Sequence, residues 1–212
     1  MMPYFIAALA AYFLGSIPFG YLAGLSRGVD IRTVGSGNIG ATNVYRTFGR
    51  KLGIATFVLD VFKGIAATCV IPQCVWLALG TKGSVPLAAE MICAITVLVG
   101  HSFPVFLNFK GGKGVATGLG IAIGVAPHSA LLGLVVWIAF FISTRYVSVG
   151  SIAAALAVGG GVWFLDNARE PKNLVPAILS VLAILIIVKH RANIKRLLNG
   201  NENRFNFSRK KK

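Results

Sequence analysis

Residues 114–144 read GVATGLGIAIGVAPHSALLGLVVWIAFFIST, and the division of this apolar stretch decides how often the chain crosses a membrane. As one long helix, the stretch gives the chain six crossings. If a break at Pro127 separates two helices, residues 114–126 and 128–144, the chain crosses seven times. A full span takes about 20 residues, so 114–126 is short. We expect it to begin or end inside the protein, where a short helix can line a cavity.

The distribution of basic residues favours seven crossings. The other apolar runs that could span are 3–25, 53–72, 86–107, 149–165 and 174–190. Lys and Arg concentrate in alternate loops and in the C-terminal tail, as they do in cytoplasmic segments. With the N-terminus outside and the tail inside, the number of crossings is odd. We predict an all-α polytopic membrane protein with seven transmembrane helices, some short, an outside N-terminus and a cytoplasmic C-terminus.

The composition agrees with a single membrane domain, which we place at residues 1–204, before a basic cytoplasmic tail at 205–212. Hydrophobic residues make up 56% of the 212 and charged residues 13%, so there are too few polar side chains for the surface of a soluble domain. The first run has no basic segment before it and is long enough to span, which argues against a cleavable signal peptide. The net charge of +15 lies in loops and tail, which favours topology signals and anion contacts over nucleic acid.

The acidic residues and cysteines indicate neither a metal nor another cofactor. The six acidic residues form no motif for a divalent cation, and the three cysteines lack the spacing of metal ligands. We expect chemistry that uses cations and neutral hydrogen-bond donors.

The first polar motif is GSGNIGATN, residues 35–43, followed by Arg46. Its glycines let backbone N–H groups approach an anion closely, and its short polar side chains donate further hydrogen bonds. A helix that begins within the motif would add its partial positive charge. An ordinary turn with a helix cap explains the motif about as well. The candidate residues are Ser36, Gly37, Asn38, Thr42 and Arg46.

The second motif is KGGKG, residues 110–114, directly before the short helix. A nucleotide P-loop requires Gly and Ser or Thr at the positions that Leu107 and Gly114 occupy, so that interpretation fails. Two lysines on a flexible loop at a helix N-terminus could still bind phosphate. Taken alone, a basic cytoplasmic loop with a tight turn is the better interpretation. The candidates are Lys110, Gly111, Gly112 and Lys113.

The third motif is KHRANIKRLLNGNE, residues 189–202. On a helix, His190 and Asn193 share a face, and we treat both as site candidates. The cations at 191, 195 and 196 are better explained by a helix that lies on anionic lipid. We expect Glu202 to pair with a cation of a cytoplasmic loop.

A few polar residues in or beside the apolar runs have structural explanations. Asp60 and Lys63 stand three residues apart within one apolar helix, where an ion pair lowers the cost of both charges. His101 and His128, near span ends, suit hydrogen-bonded structural roles. Ser148 is a candidate cap for the helix after Arg145. Ser151, one turn further, reaches the depth of a cavity that opens inward.

Taken together, the runs GSGNIGATNV, FPVFLNFKGGKGVAT and HRANIKRLLNGNE, in this order, resemble the bacterial membrane acyl-phosphate:glycerol-3-phosphate acyltransferases. The resemblance covers the chain from Tyr4 to Glu202. It implies transfer of a fatty acyl group from acyl phosphate to the 1-hydroxyl of glycerol 3-phosphate. The products would be lysophosphatidic acid and inorganic phosphate, in phospholipid biosynthesis.

The resemblance also implies a set of site residues, partners and a location. The catalytic group would be Ser36, Arg46, Lys113, His190 and Asn193. The substrate-binding group would be Gly37, Asn38, Thr42, Lys110, Gly111, Gly112 and Ser151. The implied partners are the two substrates, membrane lipid and the upstream enzyme that forms acyl phosphate. The implied location is the bacterial cytoplasmic (inner) membrane, with a multi-pass chain and the active site at the cytoplasmic face.

Two other functions fit the residues less well. A transporter for an organic phosphate should show an internal repeat, and the two halves show none. A metal-dependent head-group transferase needs several aspartates at cytoplasmic helix ends, and this sequence does not have them there.

Ser36 is disfavoured as a covalent nucleophile, because no base stands beside it in sequence. Either His190 or the substrate's own phosphate could accept the proton of the attacking hydroxyl, and we favour the phosphate.

Overall fold

The computed structural model describes residues 1–205, and the regular secondary structure of these residues is all helical. The α-helices are α1 Met2–Ser16, α2 Phe19–Leu25, α3 Ala41–Phe48, α4 Arg50–Cys69, α5 Ile71–Ala78, α6 Leu87–Ser102, α7 Val115–Val125, α8 Pro127–Thr144, α9 Val147–Leu165, α10 Leu174–Lys189 and α11 Arg191–Leu198. Short 3₁₀ turns lie at Ile31–Thr33 and Val105–Leu107. The all-helical class predicted from the sequence is confirmed.

Within residues 1–205, five helical segments are long and apolar enough to cross a membrane: Met2–Leu25, Arg50–Cys69, Leu87–Leu107, Pro127–Thr144 and Val147–Leu165. The pair α10 and α11, bent by 52°, makes a sixth, and α7 is a shorter apolar helix. The stretch 114–144 divides at Pro127, where α8 begins. A count of seven crossings and the sidedness of the termini stay predictions.

The first apolar run is broken between α1 and α2, where Ile17 is extended and precedes Pro18. A proline removes a backbone donor and disfavours helical backbone in the residue before it. The side chain of Lys63 on α4 supplies the missing donor: Nζ binds the carbonyl oxygens of Gly15 at 3.0 Å and Ile17 at 3.1 Å. The same Nζ lies 2.8 Å from Oδ1 of Asp60, which is the predicted i,i+3 ion pair. Both charged residues are only 3% exposed.

Glycines bring the helices into close contact at two crossings. A Cβ on Gly64 of α4 would strike the carbonyl of Thr117, and one on Gly120 of α7 would strike the carbonyl of Val61. The crossing of α1 and α6 is equally tight at Gly100. Small residues let backbones approach in a membrane, where packing replaces the hydrophobic effect as the force between helices. α7 is therefore held firmly against α4 although it is short.

At the end of the bundle near residue 128, Asp166 joins the start of α8 to the end of α9. Its Oδ2 accepts from the backbone N–H of Ser129 at 2.8 Å and from Oγ of Ser129 at 2.6 Å, and its Oδ1 lies 2.8 Å from Nδ1 of His128. The hydrogen-bonded structural role predicted for His128 agrees with this contact. The carboxylate satisfies backbone donors that a helix N-terminus leaves unpaired.

Candidate active site

A cavity of about 640 Å³ lies between α3, α4, α7, α8, α9, α10 and α11. Eight of the twelve candidate residues line it: Ser36, Asn38, Thr42, Arg46, Lys113, Ser151, His190 and Asn193. A cleft of about 240 Å³ shares Ser36, Asn38, Lys113 and Asn193 with the cavity and adds Gly37 and Gly111. Three motifs that are far apart in the sequence thus meet at one place.

Two candidates of the second motif line neither space. Lys110 is exposed to solvent. Gly112 is buried, and a Cβ added to it would fall on Nε2 of His101. Neither residue is placed to touch a molecule in the cavity, so the structure gives no support to their substrate-binding assignment.

The first motif is organised by Asn43, which is 2% exposed and lies in the first turn of α3. Its Nδ2 donates to the carbonyl oxygens of Ile31, Val34 and Asn38 at 2.9–3.2 Å. Its Oδ1 accepts from the backbone N–H of Ser36 at 2.9 Å. One buried amide therefore fixes both ends of the loop that presents Ser36 to the cavity. The sequence signal for Asn43 was its place inside the motif, but its buried, inward position could not be read there.

The second motif is held by the end of α6. The backbone N–H of Gly111 donates to the carbonyl of Ser102 at 3.3 Å, and that of Gly112 donates to the carbonyl of His101 at 3.1 Å. Gly114, with φ of +83°, then turns the chain into α7. Lys113 stands between these fixed points.

Lys113 and Arg46 form the cationic part of the cavity. Burial lowers the pKa of Lys113 from its usual value of 10.5 to about 8; nearby Glu202 opposes the shift, while Arg196 and Arg46 add to it. Burial also lowers the pKa of Arg46. One Nη of Arg46 donates to the carbonyl of Asn203 at 3.1 Å. Desolvated cations interact more strongly with an anion than cations in water do.

The third motif places His190 between α10 and α11, with 3% of its surface exposed. Its Nδ1 lies 2.8 Å from the carbonyl oxygen of Ile186. A carbonyl can only accept, so Nδ1 carries a proton and Nε2 is the nitrogen without one in the neutral ring. Asn193 faces the same cavity and donates through Nδ2 to Oε1 of Glu202 at 2.7 Å.

Glu202 lines the cavity, although it was not among the candidate site residues. It accepts from Asn193, from Nε of Arg196 at 2.7 Å and from Oγ of Ser148 at 2.9 Å. Burial would raise the pKa of Glu202, but these hydrogen bonds outweigh it and lower the pKa. The ion pair within 2.7 Å is with Arg196 of α11. The carboxylate also interacts electrostatically with Arg46 and Lys113, which belong to the two basic loops, so the expected pairing with a cation of such a loop agrees with the structure. The sequence shows Glu202 as the one acid after Lys189, but not which donors surround it.

Ser148 does not cap α9. The helix begins at Val147 after Tyr146, without a side-chain cap, and the hydroxyl of Ser148 is used by Glu202. Ser151 is 3% exposed, donates to the carbonyl of Val147 at 2.8 Å and accepts from the indole N–H of Trp137 at 3.3 Å. Both serines line the cavity.

Away from the polar end the cavity is apolar and deep. It follows α9 from Ser148 to Val158, a distance of about 15 Å at 1.5 Å per residue. It follows α10 from His190 to Leu179 and α8 from Phe141 to Ala130, and both distances are about 16 Å. Three helices thus give nearly the same depth, close to one leaflet of a bilayer, which is half of about 30 Å.

The cavity has an open side between α4 and α8. Phe57 on α4 and Leu134 and Ile138 on α8 line it, and they are 41%, 43% and 43% exposed. α4 packs mainly on α7 and α8 mainly on α9, and α4 and α8 make few or no contacts with each other. An apolar molecule could enter sideways from lipid, and a polar one from the end where the motifs meet.

The polar end can bind anions and stabilise developing negative charge. It contains the cations Arg46, Lys113 and Arg196 and the neutral donors of Ser36 and Asn193. Glu202 is the carboxylate at this end, and Asp60 lies deeper in the wall. Within residues 1–205, no three His, Cys, Asp or Glu side chains are grouped so that they could hold a metal ion.

Comparison with known proteins shows similarity along nearly the whole chain. A family model described as Glycerol-3-phosphate acyltransferase matches residues 5–200. A glycerol-3-phosphate acyltransferase of Geobacter sulfurreducens is 46% identical over 205 residues, which are 97% of this chain and 99% of the relative. One of Aquifex aeolicus is 43% identical over 195 residues, 92% and 95% of the two chains.

Two solved structures of PlsY (YgiH), described as an integral membrane glycerol 3-phosphate acyltransferase, have the same fold. The glycerol 3-phosphate form gives a TM-score of 0.82 at 40% identity and covers 96% of each chain. The lysophosphatidic acid form gives 0.79 at 37% identity and covers 96% of this chain and 95% of the other.

Proposed function

The chain belongs to the glycerol-3-phosphate acyltransferase family, and we propose that it transfers a fatty acyl group from acyl phosphate to the 1-hydroxyl of glycerol 3-phosphate. It is an integral membrane enzyme of phospholipid synthesis. The proposed products are lysophosphatidic acid and inorganic phosphate. The similarity to relatives in glycerol 3-phosphate and lysophosphatidic acid forms supports the acceptor and the product.

The main support for the proposal is that one cavity has both a cationic end and an apolar groove. Both substrates have phosphate, and only one has a long apolar tail. The groove is about as deep as one leaflet, so it suits a fatty acyl chain whose head reaches the motifs. Acyl phosphate is a mixed anhydride with a stable leaving group, so its transfer requires neither a metal nor a covalent enzyme intermediate.

In the proposed step, the 1-hydroxyl oxygen attacks the acyl carbonyl carbon and forms a tetrahedral intermediate. The bond between that carbon and the bridging oxygen of the phosphate then breaks, and inorganic phosphate leaves with the electron pair. Lys113 and Arg46 hold the phosphate groups, and Ser36, through its hydroxyl and the backbone of its loop, orients them. These donors are fixed in advance by Asn43 and by the end of α6, so they stabilise developing charge without reorganisation.

The hydroxyl proton must pass to a base. We propose that a phosphate oxygen of the bound substrate accepts it, because a phosphate monoester has a second pKa of about 6 and is mostly dianionic at neutral pH. His190 and Asn193 then position the acceptor molecule. Burial of the His190 ring and the nearby charge of Lys113 disfavour an imidazolium there, and Glu202 only partly opposes them, which argues against His190 as the base.

We also propose the membrane arrangement. We count the five long segments, the bent pair α10–α11 and the short α7 as seven crossings. Basic loops then place the motifs on the cytoplasmic face of the bacterial inner membrane. The upstream enzyme that forms acyl phosphate would supply the donor at that face, through the opening between α4 and α8.

The test is an assay of the purified protein in lipid with acyl phosphate and radiolabelled glycerol 3-phosphate. We expect labelled lysophosphatidic acid in excess chelator, release of one phosphate per acyl group transferred, and little or no product with acyl-CoA. Loss of activity in chelator with recovery in magnesium would contradict the metal-free mechanism. Equal rates with acyl-CoA would contradict the choice of donor.

A further inference from the structure

A charged cluster lies inside the membrane-spanning part of the protein, in the wall of the cavity. Oδ1 of Asp60 on α4 is 2.8 Å from Nζ of Lys63 and 3.6 Å from Nδ1 of His101 on α6. All three residues are 3–5% exposed. Charges at this depth are costly and usually mark a function. Lys63 has an evident structural task at the break between α1 and α2, but this does not explain His101.

His101 lies between Asp60 and the second motif. Its Nδ1 edge faces the carboxylate, at a distance suited to electrostatic attraction but longer than a hydrogen bond. Its Nε2 edge occupies the position that a Cβ of residue 112 would take. Its own carbonyl oxygen accepts from the backbone N–H of Gly112 at 3.1 Å. The ring and backbone of one residue therefore determine where Gly112 lies.

Gly112 is bonded directly to Lys113, the half-buried cation of the cavity. A shift of the His101 ring would move Gly112 and with it the backbone from which Lys113 projects. We propose that His101 is a positioning residue for acyl transfer: held by Asp60, it acts as the spacer that sets the position of Lys113. This inference rests on the proposed function, in which Lys113 binds substrate phosphate.

The same packing explains two glycines of the motif. Gly111 packs on the carbonyl of His101, and Gly112 packs on the His101 ring. Their small size is needed for contact with α6, and backbone flexibility around a phosphate is not required to account for them. The motif is thus a rigid support for Lys113.

The first experiment compares Gly112→Ala with Gly160→Ala, each measured for kcat and KM with glycerol 3-phosphate. Gly160 is exposed on α9, and a Cβ there meets open space. We expect Gly112→Ala to lower kcat/KM about a hundredfold, the usual cost of a displacement of about 1 Å at a catalytic group. Gly160→Ala should match the wild type. Wild-type kcat/KM in a folded Gly112→Ala enzyme would overturn the inference.

The second experiment makes room for a Cβ at residue 112 by removing the His101 ring. His101→Asn keeps a polar donor toward Asp60 and removes the ring edge that faces Gly112. The double variant Gly112→Ala with His101→Asn should therefore recover about tenfold in kcat/KM over Gly112→Ala, a recovery within the range of coupling between residues in contact. A purely structural role would change the yield or the thermal unfolding temperature but not produce this recovery. No recovery in a folded double variant would refute the spacer.

A double-mutant cycle of Asp60→Asn and His101→Leu tests whether Asp60 acts through His101. This test does not depend on whether Gly112→Ala folds. If Asp60 acts through His101, Asp60→Asn should lower kcat/KM about tenfold alone and add little in the His101→Leu background. Independent, additive losses would contradict the link. A wild-type enzyme that fails to use acyl phosphate would contradict the proposed function instead, so the two failures are distinguishable.

Discussion

Arg46 and Lys113 are the residues on which the proposed binding of phosphate depends most. Each is a cation that burial separates from bulk water. Arg46→Ala and Lys113→Ala should each lower turnover with glycerol 3-phosphate at least about a hundredfold, because the loss of one preorganised donor costs about 3 kcal/mol. The measurement is steady-state kinetics in lipid.

Arg50→Ala and Lys51→Ala are the matched controls, because both side chains are exposed at the start of α4 and line no part of the cavity. They should change turnover less than about twofold, as surface substitutions usually do. The tail residue Lys210 would be a further control, although it lies outside the described residues. Equal, mild effects at all four positions would mean that the phosphate site is misassigned.

The lowered pKa of Lys113 predicts a pH dependence. Below pH 8 its amine is protonated and can bind phosphate; above its pKa of about 8 the charge is lost. The kcat/KM of the free enzyme should therefore fall as pH rises through this value. Lys113→Arg should move the fall above the measured range, since a guanidinium stays charged there. An unchanged alkaline limb in that variant would assign it to another group.

His190 distinguishes the two proton acceptors. If the substrate phosphate is the base, His190→Asn and His190→Gln should keep measurable turnover and a similar acidic limb near the second phosphate pKa of about 6. His190→Asn should be the milder change, because its amide can still donate to the carbonyl of Ile186. A general base would instead lose about 10²–10⁴-fold, and its acidic limb would disappear. That outcome would make His190 the catalytic base.

At the residue scale, the sequence indicated the cations and short donors of the three motifs, because glycine-rich basic loops have a physical meaning that does not depend on distant parts of the chain. It did not indicate Ser148 as a partner of Glu202, which is 54 residues away. Nor did it indicate the contact of His101 with Gly112. Such pairs form only when separate helices pack, and no local pattern encodes them.

Among the helices, the crossing of α4 and α7 is tight enough for a clear prediction. Gly120→Val places side-chain atoms where the carbonyl of Val61 lies, so the two helices must separate. Overpacking of this kind costs about 1–3 kcal/mol, and the unfolding temperature in detergent should fall. Gly160→Val, in open space on α9, should leave it nearly unchanged. An equal decrease for both would attribute the effect to β-branching alone.

Helix boundaries were predicted well where a proline or a charge ends an apolar run. Pro127 begins α8, as its missing donor suggests. The break of the first run at Pro18 was not predicted, because its cost is met by Lys63, whose Nζ binds the carbonyl of Ile17 46 residues away. The second predicted span, 53–72, ends instead at Cys69, and α5 follows as a separate short helix. The hydropathy of a continuous apolar run does not reveal that one helix ends and another begins within it.

For the whole molecule, the parity of crossings makes the topology testable. In a background without Cys69, Cys74 and Cys93, single cysteines at Gly83 and Asn173 should react with an impermeant thiol reagent from outside. Both positions are exposed, and in the seven-crossing arrangement both lie on the side of the N-terminus.

Cysteines at Arg50 and Asn199, also exposed, should react only after the membrane is permeabilised. These positions lie on the side where the basic residues concentrate. Labelling of Asn199→Cys from outside in intact cells would leave an even number of crossings and refute the arrangement.

The sequence predicted that the short segment 114–126 lines a cavity. α7, Val115–Val125, is short and does line the cavity.

The opening between α4 and α8 has a consequence for how the rate of the enzyme depends on the amount of each substrate. A molecule that enters there comes from a two-dimensional phase, so its availability depends on its mole fraction among the surrounding lipids and not on its molarity. Glycerol 3-phosphate comes from a three-dimensional solution, where molarity does apply. Added inert lipid would dilute the acyl donor without diluting the acceptor, so the composition of the membrane itself would control the rate at which new lipid is made.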